Sequence, residues 1–266
     1  FLRENKIMIN IATIHHESNR FMEMQNAYVN KNTDSDFRIY CGFSKTTPTV
    51  DYYKAFDFSN YSDQHWARLD YLASEICGDS KDEDLLVFID GDAFPIQVWD
   101  TKIKEYMENF PVAAIVRKEN PEKLLPPEDC HYPHPCFFAT TVGFWKENNL
   151  SWKLDPPTGA ESAGVVLHRK LKELEIEWKP LLRSNAINIH PLYFGIYGSL
   201  IYHHGAGNRE VYDSIDIWDR PLLGNTVDLD LRYPLIPKFN TKLSNFVFKE
   251  IEVNDDFIKV FLGGMP

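Results

Sequence analysis

Two carboxylates stand one residue apart at the end of an apolar run: LLVFI (85–89) is followed at once by Asp90, Gly91 and Asp92. Side chains at i and i+2 of an extended chain share a face, so the pair points the same way if extended geometry continues. Like charges that close repel each other unless a cation or a proton lies between them. A hard divalent ion such as Mg or Mn meets that demand, held by one or two carboxylates with phosphate oxygens and water completing its shell. Gly91 allows a tight backbone path and close approach of a ligand. The same residue types also make a plain solvated turn. Their place directly after a buried run is what favours the ion.

That run needs a sheet around it. Five consecutive apolar residues of strand length fit a strand covered on both faces. Residues 7–14 (IMINIATI) read as an earlier buried strand, followed by the polar turn HHESN and a helix, FMEMQNAYVNK, capped by Ser18 or Asn19. FRIYCGF (37–43) reads as a strand, and 61–77 as a helix capped by Ser62 or Asp63, with Trp66, Leu69, Leu72, Ala73 and Ile76 at helical spacing. Strand, helix, strand, helix, strand predicts a mostly parallel α/β sheet, which binds ligands at the carboxyl ends of its strands. The second half holds VAAIV (112–116), a Pro-rich loop KLLPPEDCHYPHP, CFFATTVGFW (136–145), a helix near 161–175 and one long strand over 191–204. This predicts a compact unit over 1–224, divided into a ligand-binding half (7–120) and a second half (121–224), with 225–266 packed on it as an extension.

Composition narrows the function. Of 266 residues, 44% are hydrophobic and 25% charged, enough for a folded core. The 28 basic residues against 39 acidic ones leave a net charge of −11, which argues against nucleic acid as the partner. Four scattered cysteines (Cys41, Cys77, Cys130, Cys136) make no CxxC pair or disulfide framework, so a reducing, cytoplasmic setting is expected. No apolar run reaches the ~18 residues of a membrane span.

A hydrophobic strand ending in D-x-D in the middle of an α/β chain resembles the nucleotide-sugar glycosyltransferases of GT-A fold. Further segments agree in order: the opening strand IATI, the helix HWARLDYLA with Arg68 and Asp70 before the acidic pair, FFATTVGFW, and IYHHGAGNR downstream. The resemblance, over roughly 7–210, implies a GT-A-like sheet and transfer of a sugar from a nucleotide-diphosphate donor to a hydroxyl acceptor such as a glycan. It implies a divalent metal, Mn or Mg, on Asp90 and Asp92, with Asp90 also available to the ribose. His203 or His204 would complete the shell, and Arg209 would add charge near the diphosphate. Arg68 and Asp70 fall in its donor-binding helix. A general base would open the helix after the junction segment; Glu161 stands there, with Asp155 as the other choice. Ser162 occupies the place of the expected second acid, which leaves inverting or retaining chemistry open.

Weaker clusters have two readings each. Cys130, His131, His134 and Cys136 carry zinc-type donors, but they crowd together with two prolines, unlike the separated pairs of zinc sites. A loop lining the acceptor pocket, with His134 for hydrogen bonding, is the simpler expectation. His15, His16 and Glu17 follow the first strand and either contact base and ribose or form a polar turn. Trp145 and Trp152 either stack on sugar rings or fill the core. Two rival functions stand beside the transferase. One is a haloacid-dehalogenase-type phosphohydrolase with Asp90 as nucleophile, although Ala93-Phe94-Pro95 follow where that family carries Gly-Thr or Gly-Val. The other is a nucleotide-sugar-binding module without catalysis.

Overall fold

In the computed structural model, which describes residues 6–62, 64–118, 131–153, 163–187, 193–205 and 237–259, the run 85–89 is buried throughout. Its side chains alternate: Leu86 and Phe88 enter one core, and Leu85, Val87 and Ile89 enter another across the sheet. That alternation is why the run is apolar at every position.

The main sheet contains β1 (Ile9–His16), β2 (Phe37–Ser44), β3 (Lys54–Asp57), β4 (Leu85–Ile89), β6 (Val112–Lys118), β7 (His131–Thr141) and β8 (Lys179–Leu181), in the order β3-β2-β1-β4-β7-β6-β8. All neighbours pair parallel except β7, which runs antiparallel to both β4 and β6. The mixed, mostly parallel sheet flanked by helices is the architecture expected from the sequence. Helices α2 (His65–Asp79), α4 (Val142–Glu147) and α5 (Ala163–Glu173) cover one face, through Leu69, Leu72, Val142, Leu167 and Leu171. Val29 of α1 (Met22–Asn32) and Ile103 of α3 (Asp100–Met107) cover the other. A second sheet, β5 (Ala93–Pro95), β10 (Ile201–His203) and β9 (Gly195–Tyr197), continues directly from the end of β4. Phe94, Ile196 and Tyr202 of this sheet bury against Phe21 and against Val247 and Ile251 of α6 (Pro237–Val253). No described helix is long and apolar enough to cross a membrane.

Several local expectations differ. Of the single long strand expected over 191–204, the described part, from 193, is instead a hairpin: Gly198 (φ 58°) and Ser199 (φ 57°) both adopt left-handed backbone between β9 and β10. Two central residues of positive φ make the turn whose twist suits adjoining strands. Among the described residues, neither α1 nor α2 takes a side-chain cap. Helix α1 starts after Phe21, with Ser18 Oγ accepting from Arg20 N one turn earlier. Gln64 precedes α2, with Ser62 Oγ accepting from its backbone N–H; Asp63 lies outside the described residues. The Pro-rich segment 131–135 is strand, not loop. Pro133 pairs with Val116 of β6, and the β4 pairing begins only at Phe137. The prolines therefore sit where one side of β7 needs no ladder donor.

Candidate metal and donor site

The chain leaves β4 at Ile89 and turns over residues 90–92 before β5. Ala93 N–H donates to the Asp90 carbonyl at 2.9 Å, so the two carboxylates converge through a turn rather than along extended backbone. Three elements tie this turn down. Gln25 of α1 donates its amide to the carbonyls of Asp90 (2.8 Å) and Ala93 (2.7 Å). The Asp90 N–H donates to the Cys136 carbonyl of β7 at 3.2 Å, and the Asp92 carbonyl accepts from His204 N at 3.0 Å. Pairing of His203 with Ala93 in the small sheet then lays the end of β10 alongside the acidic pair.

One oxygen of Asp90, one of Asp92 and one ring nitrogen of His203 lie within 4.8 Å of one another. His203 Nε2 is 3.3 Å from Asp92 Oδ1 and 3.8 Å from Asp90 Oδ2. These side chains are 15–20% exposed, so the cluster is reachable from solvent while held by the fold. Burial disfavours charge on His203, yet Cys136 and Asp92 beside it outweigh that and raise its pKa well above the ordinary imidazole value. Among the described residues Asp90 Oδ1 is buried and accepts no hydrogen bond; His65 Nε2, at the first turn of α2, stands 3.6 Å away. A buried carboxylate oxygen without a donor is costly. An oxygen, oxygen, nitrogen donor set around such an atom suits a divalent cation. The residues present therefore fit the expected metal.

Gly91 is tight for a second reason: a Cβ there would run into the Ile14 carbonyl oxygen and lie 2.8 Å from His15 Nδ1. His15 is not offered to a ligand. Its Nε2 shares the Gln25 Oε1 acceptor (3.2 Å) with Thr13 Oγ1 (3.1 Å), and burial lowers its pKa to about 4. A neutral imidazole behind the acidic turn, braced through Gln25, is a supporting wall.

The structure separates the two downstream histidines. His204 is fully buried, its Nδ1 2.9 Å from Tyr202 OH and its Nε2 2.8 Å from Ser244 Oγ of α6, and burial lowers its pKa to about 3. Arg68 is buried with Nε on the Ser62 carbonyl (2.7 Å) and a guanidinium nitrogen 3.3 Å from His16 Nδ1, which also meets Ser44 Oγ at 2.6 Å. It thus reaches the carboxyl ends of β1 and β2. Asp70 corrects the expectation of a donor contact. Its carboxylate accepts from Ser151 Oγ (2.6 Å) and Trp152 N (2.8 Å), anchoring the chain after α4, because residues two apart on a helix face different ways. Trp145 and Trp152 fill the core against Phe88, each ring at 5.2 Å, so neither stacks on a sugar. Glu161, Asp155, Arg209 and Cys130 lie outside the described residues.

Two site residues escaped the sequence reading. His65 was visible as the first residue of a helix aimed at the strand ends. Gln25 was visible as a polar residue among Met22, Val29 and Asn32 on the buried stripe of α1.

No protein-family profile and no curated protein sequence matches the chain. Solved structures resemble the chain at low identity. A mannosyltransferase from Pyrobaculum calidifontis, in complex with GDP-Man and Mn2+, is 10% identical with a TM-score of 0.43, covering 65% of this chain and 54% of its own. The chain thus spans about half the length of that protein. Residues 1–349 of TarS from S. aureus are 8% identical with a TM-score of 0.47, covering 96% and 75% of the two chains. The glycosyltransferase GlyE of Streptococcus pneumoniae TIGR4 is 10% identical with a TM-score of 0.42, covering 65% and 44%.

Proposed function

We propose that the chain is a metal-dependent glycosyltransferase that moves a sugar from a nucleotide-diphosphate-sugar to a hydroxyl acceptor. One observation carries the reading: Asp90 and Asp92, from the turn at the end of a central strand, meet His203 from a distant hairpin at the carboxyl edge of a mostly parallel sheet. Asp90, Asp92 and His203 would hold Mn or Mg. Such an ion neutralises the charge that develops on a nucleoside diphosphate as it leaves.

For the described residues the remaining roles follow from placement; those of Arg209, Glu161 and Asp155 rest on the family resemblance. Arg68 and His16, at the ends of β1 and β2, and His65 beside Asp90 offer donors to the nucleotide and its phosphates. Arg209, outside the described residues, is given the role of adding positive charge near the diphosphate by the family resemblance alone. His134, with its ring 6.3 Å from that of His203, borders the side where a sugar acceptor would approach. Glu161 is the base for the acceptor hydroxyl, with Asp155 as the second choice. Few, scattered cysteines support a reducing, cytoplasmic setting.

Incubation with a panel of nucleotide sugars and Mn2+ tests the reading. Metal-dependent release of nucleoside diphosphate, stopped by EDTA, is expected from at least one donor. A phospho-aspartate trapped at Asp90 with a generic phosphoester would replace the transferase with a phosphohydrolase. Metal-dependent donor binding without turnover on any acceptor would replace it with a binding module.

A further inference from the structure

Gly195 stands opposite His203 in the β9–β10 pairing, as Ala93 does in the β5–β10 pairing. Residues directly opposite each other in a sheet share one face. The face that carries His203 therefore continues to Gly195, on the flank away from the acidic turn. Tyr197, two residues along β9, lies on that face too. A Cβ at Gly195 would stand 2.5 Å from Tyr197 Cε2 and 2.7 Å from its hydroxyl oxygen. The Tyr197 ring thus folds back along β9 over Gly195 and brings its OH to the His203 end of the strand. The backbone at Gly195, unlike that at Gly198 and Gly205, is not left-handed, so glycine is needed there for space rather than conformation.

The ring has neighbours on both sides. Ile201 pairs with Tyr197 across β10, and Arg183 pairs with it from the other side. Arg183 is itself held, its Nε donating to Asn185 Oδ1 (3.2 Å) and its Nη2 to the Tyr193 carbonyl (2.8 Å). Tyr197 packs against the core that contains Leu181 and Ile201 and stays partly exposed. Its position along the site is set by the sheet. His16 and Arg68, at the ends of β1 and β2, lie to one side of β4. On the other side, β7 brings His134 to 6.3 Å from His203, and β8 leads into residues 182–185, whose Ser184 N–H donates to the Ile196 carbonyl of β9 at 2.7 Å. Nucleotide donors, acidic turn, His203 and Tyr197 OH therefore follow one another across the sheet edge. A nucleotide-diphosphate-sugar has its groups in the same sequence: nucleoside, diphosphate, sugar. We infer that the Tyr197 hydroxyl hydrogen-bonds the sugar of the donor, on the far side of the metal from the nucleoside. The inference rests on the transferase reading above and adds a specificity residue to it.

Calorimetric titration with Mn2+ compares, for each nucleotide sugar of the panel, the intact donor with the nucleoside diphosphate it contains. Tyr197→Phe is expected to weaken the intact donor about 5-fold, the usual effect of losing one neutral hydrogen bond, and to leave the nucleoside diphosphate unchanged. Gly195→Ala keeps the hydroxyl but displaces it and is expected to show the same selective loss. The ratio of the two affinities is read within one protein, so a variant that is partly unfolded loses both equally and leaves the ratio unchanged. An unaltered ratio in Tyr197→Phe overturns the inference while the transferase reading stands. Wild-type protein that binds no nucleotide sugar in the presence of Mn2+ overturns the transferase reading, and the role of Tyr197 with it.

Discussion

His203 and His204, adjacent in the chain, serve opposite sides of the same strand end. His203 Nε2 lies 3.3 Å from Asp92 Oδ1, whereas His204 turns to Tyr202 and Ser244 in the core beneath α6. Alternation along a strand separates them. Tyr202 and His204, two apart, share the buried side.

The histidines should therefore fail in different ways. His203→Ala is expected to weaken Mn2+ binding about 10- to 100-fold with little change in the metal-free unfolding midpoint. His204→Ala leaves Tyr202 OH and Ser244 Oγ without their partner and is expected to cost about 1–3 kcal/mol of stability. Thermal unfolding with and without Mn2+ reads both, and loss of metal binding without loss of stability in His204→Ala would reverse the assignment.

Asp92→Asn keeps the shape of the turn and removes one charge. Metal-dependent donor binding is expected to disappear, and turnover to fall by about 100- to 1000-fold, the scale of removing one electrostatic contributor from a reaction centre. Asp90→Asn is expected to behave similarly and to relieve the buried Oδ1. Calorimetric titration of donor with and without Mn2+ checks both, and wild-type affinity in Asp92→Asn would remove the pair from the site.

Acid should loosen the metal-free protein before its carboxylates titrate. Burial holds His15 at a pKa of about 4 and His204 at about 3, both below the ordinary 6.5. Below 6.5 the unfolded chain takes up protons that these residues refuse in the fold, so stability falls as pH is lowered. Each contributes up to about 1.4 kcal/mol per pH unit in that window. His203, raised above 6.5, has its stabilising contribution fully present below 6.5 and loses it only as pH rises. It adds no slope in the acid window. Urea unfolding at pH 7, 6 and 5 should show a falling midpoint, with a shallower fall in His204→Gln; a flat wild-type profile would contradict two neutral histidines.

Gly91→Ala places a methyl group against the Ile14 carbonyl and His15. Both belong to β1, so relief requires the acidic turn itself to shift. A loss of about 1–3 kcal/mol is expected from the overpacking, together with weaker Mn2+ binding. Gln25→Leu, which removes the amide tie to the Asp90 and Ala93 carbonyls, is expected to act in the same direction. Unfolding and Mn2+ titration of each variant decide the matter, and unaltered metal affinity in Gly91→Ala would show that the turn moves freely.

Much of the frame was legible because it depends on local pattern. LLVFI reads as a doubly buried strand, the 3–4 spacing from Leu69 to Ile76 reads as a helix, and a carboxylate pair at a strand end reads as a cation site whatever surrounds it. The rest depends on contacts that local pattern does not encode. Periodicity says that His203 and His204 face opposite ways, but only the register of β10 on β5, which pairs His203 with Ala93, decides which of them meets the acidic turn. Two prolines make 131–135 look like loop; the unpaired side of β7 beyond β4 lets it be strand, and that strand brings the Cys136 carbonyl to the Asp90 N–H. The amino-acid pattern determined the elements and the acidic pair, since burial and periodicity act over a few residues. Tertiary structure decided the partners, since sheet register and packing join residues that are remote along the chain.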